Sequence, residues 1–141
     1  MKAEPLVKEV EINAPPARMW RAITDINEMK HWGFEDFKPE VGFEFQFYGG
    51  PPEKKYLHLC KVTEVVPNKK LTYSWQYGGY TGISYVTFEL FAEGNKTRLK
   101  LTHAGIDSFL PEDLNLAPKN FAEGWEYILN TSIKEYVEAG G

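Results

Sequence analysis

The chain of 141 residues has only one cysteine, Cys60, and only three histidines. A single thiol excludes an internal disulfide and a thiolate metal cluster, and Cys60 is interpreted as a small buried apolar residue. His31, His58 and His103 fall in separate predicted elements without the spacing of metal ligands, so we predict no metal site. No nucleophile elbow, Ser-His-Asp order or paired-carboxylate motif is present, and the sequence therefore indicates no catalytic residue and no cofactor.

Runs of basic residues and long apolar segments are also missing. The formal net charge is -4, with 16 Lys and Arg against 20 Asp and Glu, and no basic cluster offers the phosphate-neutralising surface of a nucleic-acid-binding protein. No stretch approaches the roughly 18 apolar residues of a membrane span, and the N-terminus lacks the apolar segment of a secretory signal. We therefore expect a cytoplasmic protein that binds neither nucleic acid nor a membrane.

Aromatic residues are abundant instead, with 4 Trp, 8 Tyr and 9 Phe among 43% hydrophobic residues. A chain of this length is long enough to bury a sizeable core, so one domain spanning residues 1–141 is expected. Large flat side chains should dominate its packing and the wall of any pocket. Small apolar or aromatic ligands suit such a wall.

The hydrophobic pattern predicts a strand, two short helices, five more strands and a last helix. The first strand spans residues 6–13, a helix begins at Pro15-Pro16, and a second helix runs from Ile26 to Trp32. Period-two segments follow, and the phase of "KYLHLCKVTEVV" is mixed, which indicates either a bulge or a strand covered on both sides. Without alternating β-α units, the fold class is α+β with an antiparallel sheet and helices on one face.

The last helix is predicted from apolar residues at steps of three and four after Pro118. These residues are Phe121, Trp125, Ile128, Leu129, Ser132, Ile133 and Tyr136. Gly124 interrupts this helix and costs about 1 kcal/mol relative to alanine, so we expect the sheet or a ligand to approach it closely.

Five segments, in this order, resemble the START-like or SRPBCC superfamily, and most closely its branch of heat-shock protein 90 ATPase activator-like proteins: "INAPPARMWRAITD", "VTEVVPNKKLTYSW", "VTFEL", "TRLKLTHAGI" and "GWEYIL". The resemblance implies a helix-grip fold, in which a curved six-stranded antiparallel sheet wraps around a long C-terminal helix and leaves a cavity between them. Members of the superfamily bind lipids, hormones or polyketides, catalyse cyclisation or assist a chaperone, so the fold does not settle the function.

Strand parity adds candidate site residues. His103 follows Leu99 and Leu101 on one strand face, where the alternation requires an apolar residue. Its imidazole is either bonded within the core or anchors a ligand at the cavity mouth. The predicted ligand-binding residues are His103, Trp75, Tyr73, Tyr77, Ser84, Phe45, Phe88 and Trp125.

Three functions stay open at this point. The first is binding of a small hydrophobic ligand, aromatic or acyl, between the sheet and the C-terminal helix. The alternatives are a protein-interaction module with a chaperone as its partner, and a cyclase-like enzyme in which His103 exchanges protons. The sequence leaves the choice between monomer and homodimer open.

Overall fold

A curved six-stranded antiparallel sheet is the framework of the protein, described by a computed structural model for residues 5–32, 34, 36–49, 56–109 and 118–139. The strand order across the sheet is β1-β6-β5-β4-β3-β2, so the first strand pairs with the last. This arrangement confirms the predicted α+β helix-grip fold. The strands are β1 (Leu6–Ile12), β2 (Glu44–Gly49), β3 (Tyr56–Val66), β4 (Lys70–Tyr77), β5 (Ser84–Glu93) and β6 (Lys96–Ala104).

The two predicted helices after β1 are present as α1 (Pro16–Thr24) and α2 (Ile26–Met29), and a 3₁₀ turn (Lys30–Trp32) continues α2. Asp25 separates them, because its extended backbone ends α1 while its carboxylate accepts a 2.9 Å hydrogen bond from the amide of Asn27. This is an N-cap, which explains why the helical pattern breaks at this residue.

The C-terminal helix consists of α3 (Pro118–Tyr127), a π-helical segment (Ile128–Ile133) and α4 (Lys134–Glu138). Its core-facing residues follow each other at steps of four and are Phe121, Trp125, Leu129, Ile133 and Val137. In a regular α-helix such residues drift around the axis by about 40° per step. The wider π turn reduces this drift and keeps the stripe on the sheet. No helix in the described ranges is long and apolar enough to span a membrane.

The mixed phase of β3 arises because the apolar Leu57 and Leu59 lie on the outer face, and the predicted bulge follows further along the strand. Tyr56, His58, Cys60 and Val62 are buried, and the register with β4 shifts between Val62 and Glu64. The extra residue changes which side chains face the helix, as expected for a β-bulge. The turn predicted in "YGGPPEK" and the middle of the loop predicted in "GIDSFLPEDLNLAP" lie outside the described residues.

Gly105 follows the end of β6, where the chain turns away from the sheet and passes close to the start of β5. Its φ is +86°, and a Cβ at this position would lie 2.8 Å from the carbonyl oxygen of Ile83. Only glycine accepts this conformation and this contact at low cost. Ser108, in the 3₁₀ turn Ile106–Phe109, then accepts a hydrogen bond from the Ile83 amide and donates one to the Ile83 carbonyl, each at 3.0 Å. The ends of β5 and β6 are thereby held together.

The close approach of the sheet expected at Gly124 is wrong. Gly124 is exposed, and no heavy atom of the described chain lies within 4 Å of a Cβ built there, apart from the helix's own backbone and neighbouring residues. We therefore expect Gly124→Ala to raise the free energy of unfolding by about 0.5–1 kcal/mol, because alanine favours a helix more than glycine does. Urea unfolding of both proteins measures this difference. A less stable alanine variant would show that the glycine serves a contact.

Candidate functional site

Buried polar side chains gather at one end of the inner face of the sheet, which is the face turned toward the C-terminal helix. At this end β4 stops at Tyr77 and β6 at Ala104, while β3 starts at Tyr56 and β5 at Ser84. The register places Trp75 opposite Ser84 and His58 opposite Tyr77. The side chains brought together are His58, Trp75, Tyr77, Ser84 and His103, with Trp125 from the helix above them.

His103 is completely buried, and both nitrogens of its ring have protein partners. The Trp125 indole donates from Nε1 to His103 Nδ1 at 3.0 Å. The Ser84 hydroxyl donates its proton to the backbone carbonyl of Trp75 at 2.9 Å, so it accepts from His103 Nε2–H at 2.8 Å. The imidazole is therefore neutral, with its proton on Nε2. This chain of bonds connects β4, β5 and β6 to the C-terminal helix.

Burial lowers the pKa of His103 from 6.5 to about 3, because the charged ring loses its hydration. Protonation at Nδ1 would also place two donors against each other, since Trp125 already donates to that nitrogen. A proton shuttle needs a pKa near the working pH. The geometry therefore disfavours acid-base chemistry at His103 near neutral pH.

His58 is a second buried histidine in this region and is not among the residues predicted from the sequence. Its Nδ1 donates to the carbonyl of Tyr56 at 2.9 Å, and its ring stacks on Phe47 with centroids 4.4 Å apart. Burial lowers its pKa from 6.5 to about 4, although hydrogen bonds to the backbone of Tyr56 and Phe47 partly oppose the shift. The apolar residues Leu57 and Leu59 lie on the other parity of β3, so the alternation alone did not place His58 on the inner face.

Trp75 lies at the centre of the site. Its ring centroid is 5.0 Å from that of His58, 5.4 Å from that of His103 and 5.6 Å from that of Trp125. Its Nε1 donates to the hydroxyl of Tyr77 at 2.9 Å. The indole is thus enclosed by rings and hydrogen-bonded at its one polar atom, which fixes its orientation.

Tyr73 lies deeper along β4 than Trp75 and is completely buried. The ring of Phe45 is 5.3 Å from its own, and those of Phe34 and Phe88 are 6.2 and 6.3 Å away. Its hydroxyl has no hydrogen-bond partner among the described residues. Burial raises its pKa, so the group remains a neutral phenol.

The remaining predicted residues, Phe88 and Phe45, connect the sheet to the C-terminal helix and to the segment before β2, respectively. Phe88 meets Trp125 edge to face at 5.9 Å, and Phe45 contacts Phe34 at 5.4 Å. The structure thus brings all eight predicted residues to the inner face or to the helix side that covers it. Their role in binding stays a prediction.

Several wall residues were missing from the sequence-based set. Phe34 and Phe37 come from the segment between the short helices and β2, and both are buried against Phe45 and Tyr73. The feature of the sequence that could have identified them is the presence of two phenylalanines in a segment otherwise typical of turns. Phe121 begins the buried stripe of the helix and meets His103 edge to face at 5.2 Å. The described residues contain no group of three or more His, Cys, Asp or Glu that could hold a metal ion.

A groove of about 850 Å³ lies mainly on the opposite, outer face of the sheet. Leu59, Ile83 and Tyr85 are its exposed hydrophobic side chains. Polar side chains surround them, among them Glu44, Gln46, Lys61, Ser74 and Gln76. This face therefore offers a second surface, which meets the aromatic interior at Phe45 and Cys60.

Comparison with protein families gives one match. The model of the family described as "Activator of Hsp90 ATPase homolog 1-like protein" matches residues 13–138. The comparison with curated proteins gave no match.

Solved structures share the fold. Protein MLL2253 from Mesorhizobium loti is 27% identical, with a TM-score of 0.81 over 97% of this chain and 98% of that chain. Protein BH1534 from Bacillus halodurans is 26% identical, with a TM-score of 0.74 over 97% and 99%. DynU16, a protein in the dynemicin biosynthetic locus, is 19% identical with a TM-score of 0.80, over 98% of this chain and 48% of that one. The likeness to DynU16 shows the fold alone.

Proposed function

This chain belongs to the Activator of Hsp90 ATPase homolog 1-like family, and on that premise we propose that its interior binds a small hydrophobic ligand between the sheet and the C-terminal helix. The observation that carries the proposal is the aromatic lining. Rings from the sheet, from the helix and from the segment before β2 meet around Tyr73 and Trp75. Polar atoms are concentrated at one end of this lining, as in sites for small molecules.

The lining favours an aromatic ligand over an acyl chain. A planar ligand among Phe45, Trp75 and Trp125 would form offset or edge-to-face ring pairs, each contributing about 0.5–1.5 kcal/mol beyond simple burial. An acyl chain gains only from burial, which contributes about 0.8 kcal/mol for each CH₂ group. The ring content of the wall therefore predicts selectivity for flat molecules.

We assign different roles to the predicted residues. Phe45, Phe88, Trp75 and Trp125 form the apolar wall, with the hydroxyls of Tyr77 and Ser84 at its polar end. His103 holds Trp125 and Ser84 in place, because both of its nitrogens already have protein partners.

Two measurements test this function. Native mass spectrometry of the protein purified from its own host should show a bound small molecule. Titration with naphthalene should change tryptophan fluorescence, with weaker binding after Trp125→Leu. Tyr127→Leu is the matched control, because Tyr127 lies two residues away on the same helix and is 63% exposed. Equal affinity in both variants, or no binding of naphthalene or of any host molecule, would contradict the proposal.

The outer groove supports a second candidate, an interaction with a chaperone, which is the activity named in the family's description. Leu59, Ile83 and Tyr85 would form the contact, since exposed apolar residues among polar neighbours are typical of interaction surfaces. Stimulation of a chaperone's ATPase rate, lost in Tyr85→Ser and kept in Trp125→Leu, would favour this function. If the unmodified protein does not stimulate the ATPase rate, the chaperone interaction is ruled out as its function.

A further inference from the structure

The Tyr73 hydroxyl is the one fully buried side-chain oxygen of the inner face that has no partner among the described residues. A buried polar group without a hydrogen bond is costly, and such groups are rare in folded proteins. Trp75 and Trp125, by contrast, donate to protein acceptors nearby. An unused hydrogen-bonding atom inside an apolar site is a recognition element for a ligand.

The Tyr73 ring that carries this hydroxyl is packed among apolar side chains. Phe34, Phe37 and Phe45 pack around its ring, with centroid distances of 5.3–6.4 Å. The nearby thiol of Cys60 is a weak hydrogen-bonding group, and burial keeps it protonated by raising its pKa. The phenol therefore keeps both its donor and its acceptor capacity for a molecule that enters the site.

We infer that the ligand is an aromatic molecule carrying a hydroxyl or carbonyl oxygen, and that this oxygen binds the Tyr73 hydroxyl in the deep part of the site. This inference rests on the proposed function. The apolar body of the ligand then extends along β4 toward Trp75 and the end of the strand. An aromatic hydrocarbon of the same shape would leave the hydroxyl unpaired and would bind less well than the oxygen-bearing molecule.

The test compares 2-naphthol with 2-methylnaphthalene, which have similar shapes and differ in the hydrogen-bonding group. The ratio of their dissociation constants is measured by tryptophan fluorescence for the unmodified protein and for Tyr73→Phe. We expect the preference for 2-naphthol to be about 10-fold smaller in the variant, equivalent to about 1.4 kcal/mol. Tyr136→Phe is the control, because its hydroxyl lies near Glu28 and outside the site, and it should leave the ratio unchanged.

The melting temperature without ligand is the second readout. Since the hydroxyl has no partner in the described structure, Tyr73→Phe should melt at the same or a higher temperature than the unmodified protein. A melting temperature several degrees lower would show that the hydroxyl already has a partner, and would overturn the inference.

The outcomes separate this inference from the proposed function. Binding of both probes with the same ratio in the unmodified protein and in Tyr73→Phe would overturn the inference alone. Binding of neither probe would overturn the proposed function, and the inference with it.

Discussion

Phe88→Ala is expected to lower the free energy of unfolding by about 3–5 kcal/mol. The ring is completely buried on β5, between Tyr73 on the neighbouring strand and Trp125 on the C-terminal helix. Its removal loses the burial of the ring and leaves a cavity that the surrounding rings cannot fill. Urea unfolding followed by far-UV circular dichroism measures the change.

The control for this substitution is Phe91→Ala on the same strand. Phe91 lies on the outer face, where the guanidinium of Arg98 is 4.4 Å from its ring centroid. Loss of this partly exposed contact should cost about 1 kcal/mol or less. Equal losses of stability in both variants would contradict the placement of Phe88 in the core.

His103→Ala is expected to lower the free energy of unfolding by about 2–4 kcal/mol at pH 7. The substitution removes a fully buried ring and leaves the Trp125 indole N–H without its acceptor, and an unsatisfied buried group alone costs about 1–3 kcal/mol. The rest is the cavity left by the ring. Urea unfolding at pH 7 measures the change, and a loss below about 1 kcal/mol would contradict the buried network.

The pH dependence of unfolding gives an independent check on His103. Burial lowers the pKa of His103 to about 3 and that of His58 to about 4. Below pH 6.5 the unfolded chain therefore binds protons that the folded chain excludes. The free energy of unfolding consequently decreases as the pH is lowered. Each histidine contributes a slope of about 1.2 kcal/mol per pH unit between pH 6 and pH 5, where most carboxylates remain ionised.

His103→Ala should remove the contribution of His103 to this slope and leave the contribution of His58 unchanged. Urea midpoints at pH 7, 6 and 5 measure the slopes of the variant and the unmodified protein. An unchanged slope in the variant would show that His103 takes up a proton in the folded protein, contrary to its buried, neutral state.

Strand parity predicted much of the site because side chains alternate strictly between the two faces of a strand. His103, Ser84, Trp75 and Tyr73 were placed on one face from sequence alone, and the structure places them there. The partner of His103 could not be predicted in this way. Trp125 lies on the helix 22 residues later, and its contact depends on how that helix packs across the sheet.

The missed residues have local physical causes. The apolar residues Leu57 and Leu59 flank His58 on the opposite parity of β3, so the alternation did not show which face is buried. Phe34 and Phe37 come from a segment without periodicity, and only the folded chain shows that they cover Tyr73. The π-helical segment depends on matching the four-residue stripe to the sheet, which a period read from the sequence does not show.

Nuclear magnetic resonance during titration with naphthalene tests the central claim most directly, because it reports which face of the sheet the ligand contacts. Binding in the interior predicts that the indole N–H signals of Trp75 and Trp125 shift with ligand concentration, while the backbone amides of Leu59 and Tyr85 on the outer face remain in place. Shifts confined to the outer-face amides, with both indole signals unchanged, would contradict the account.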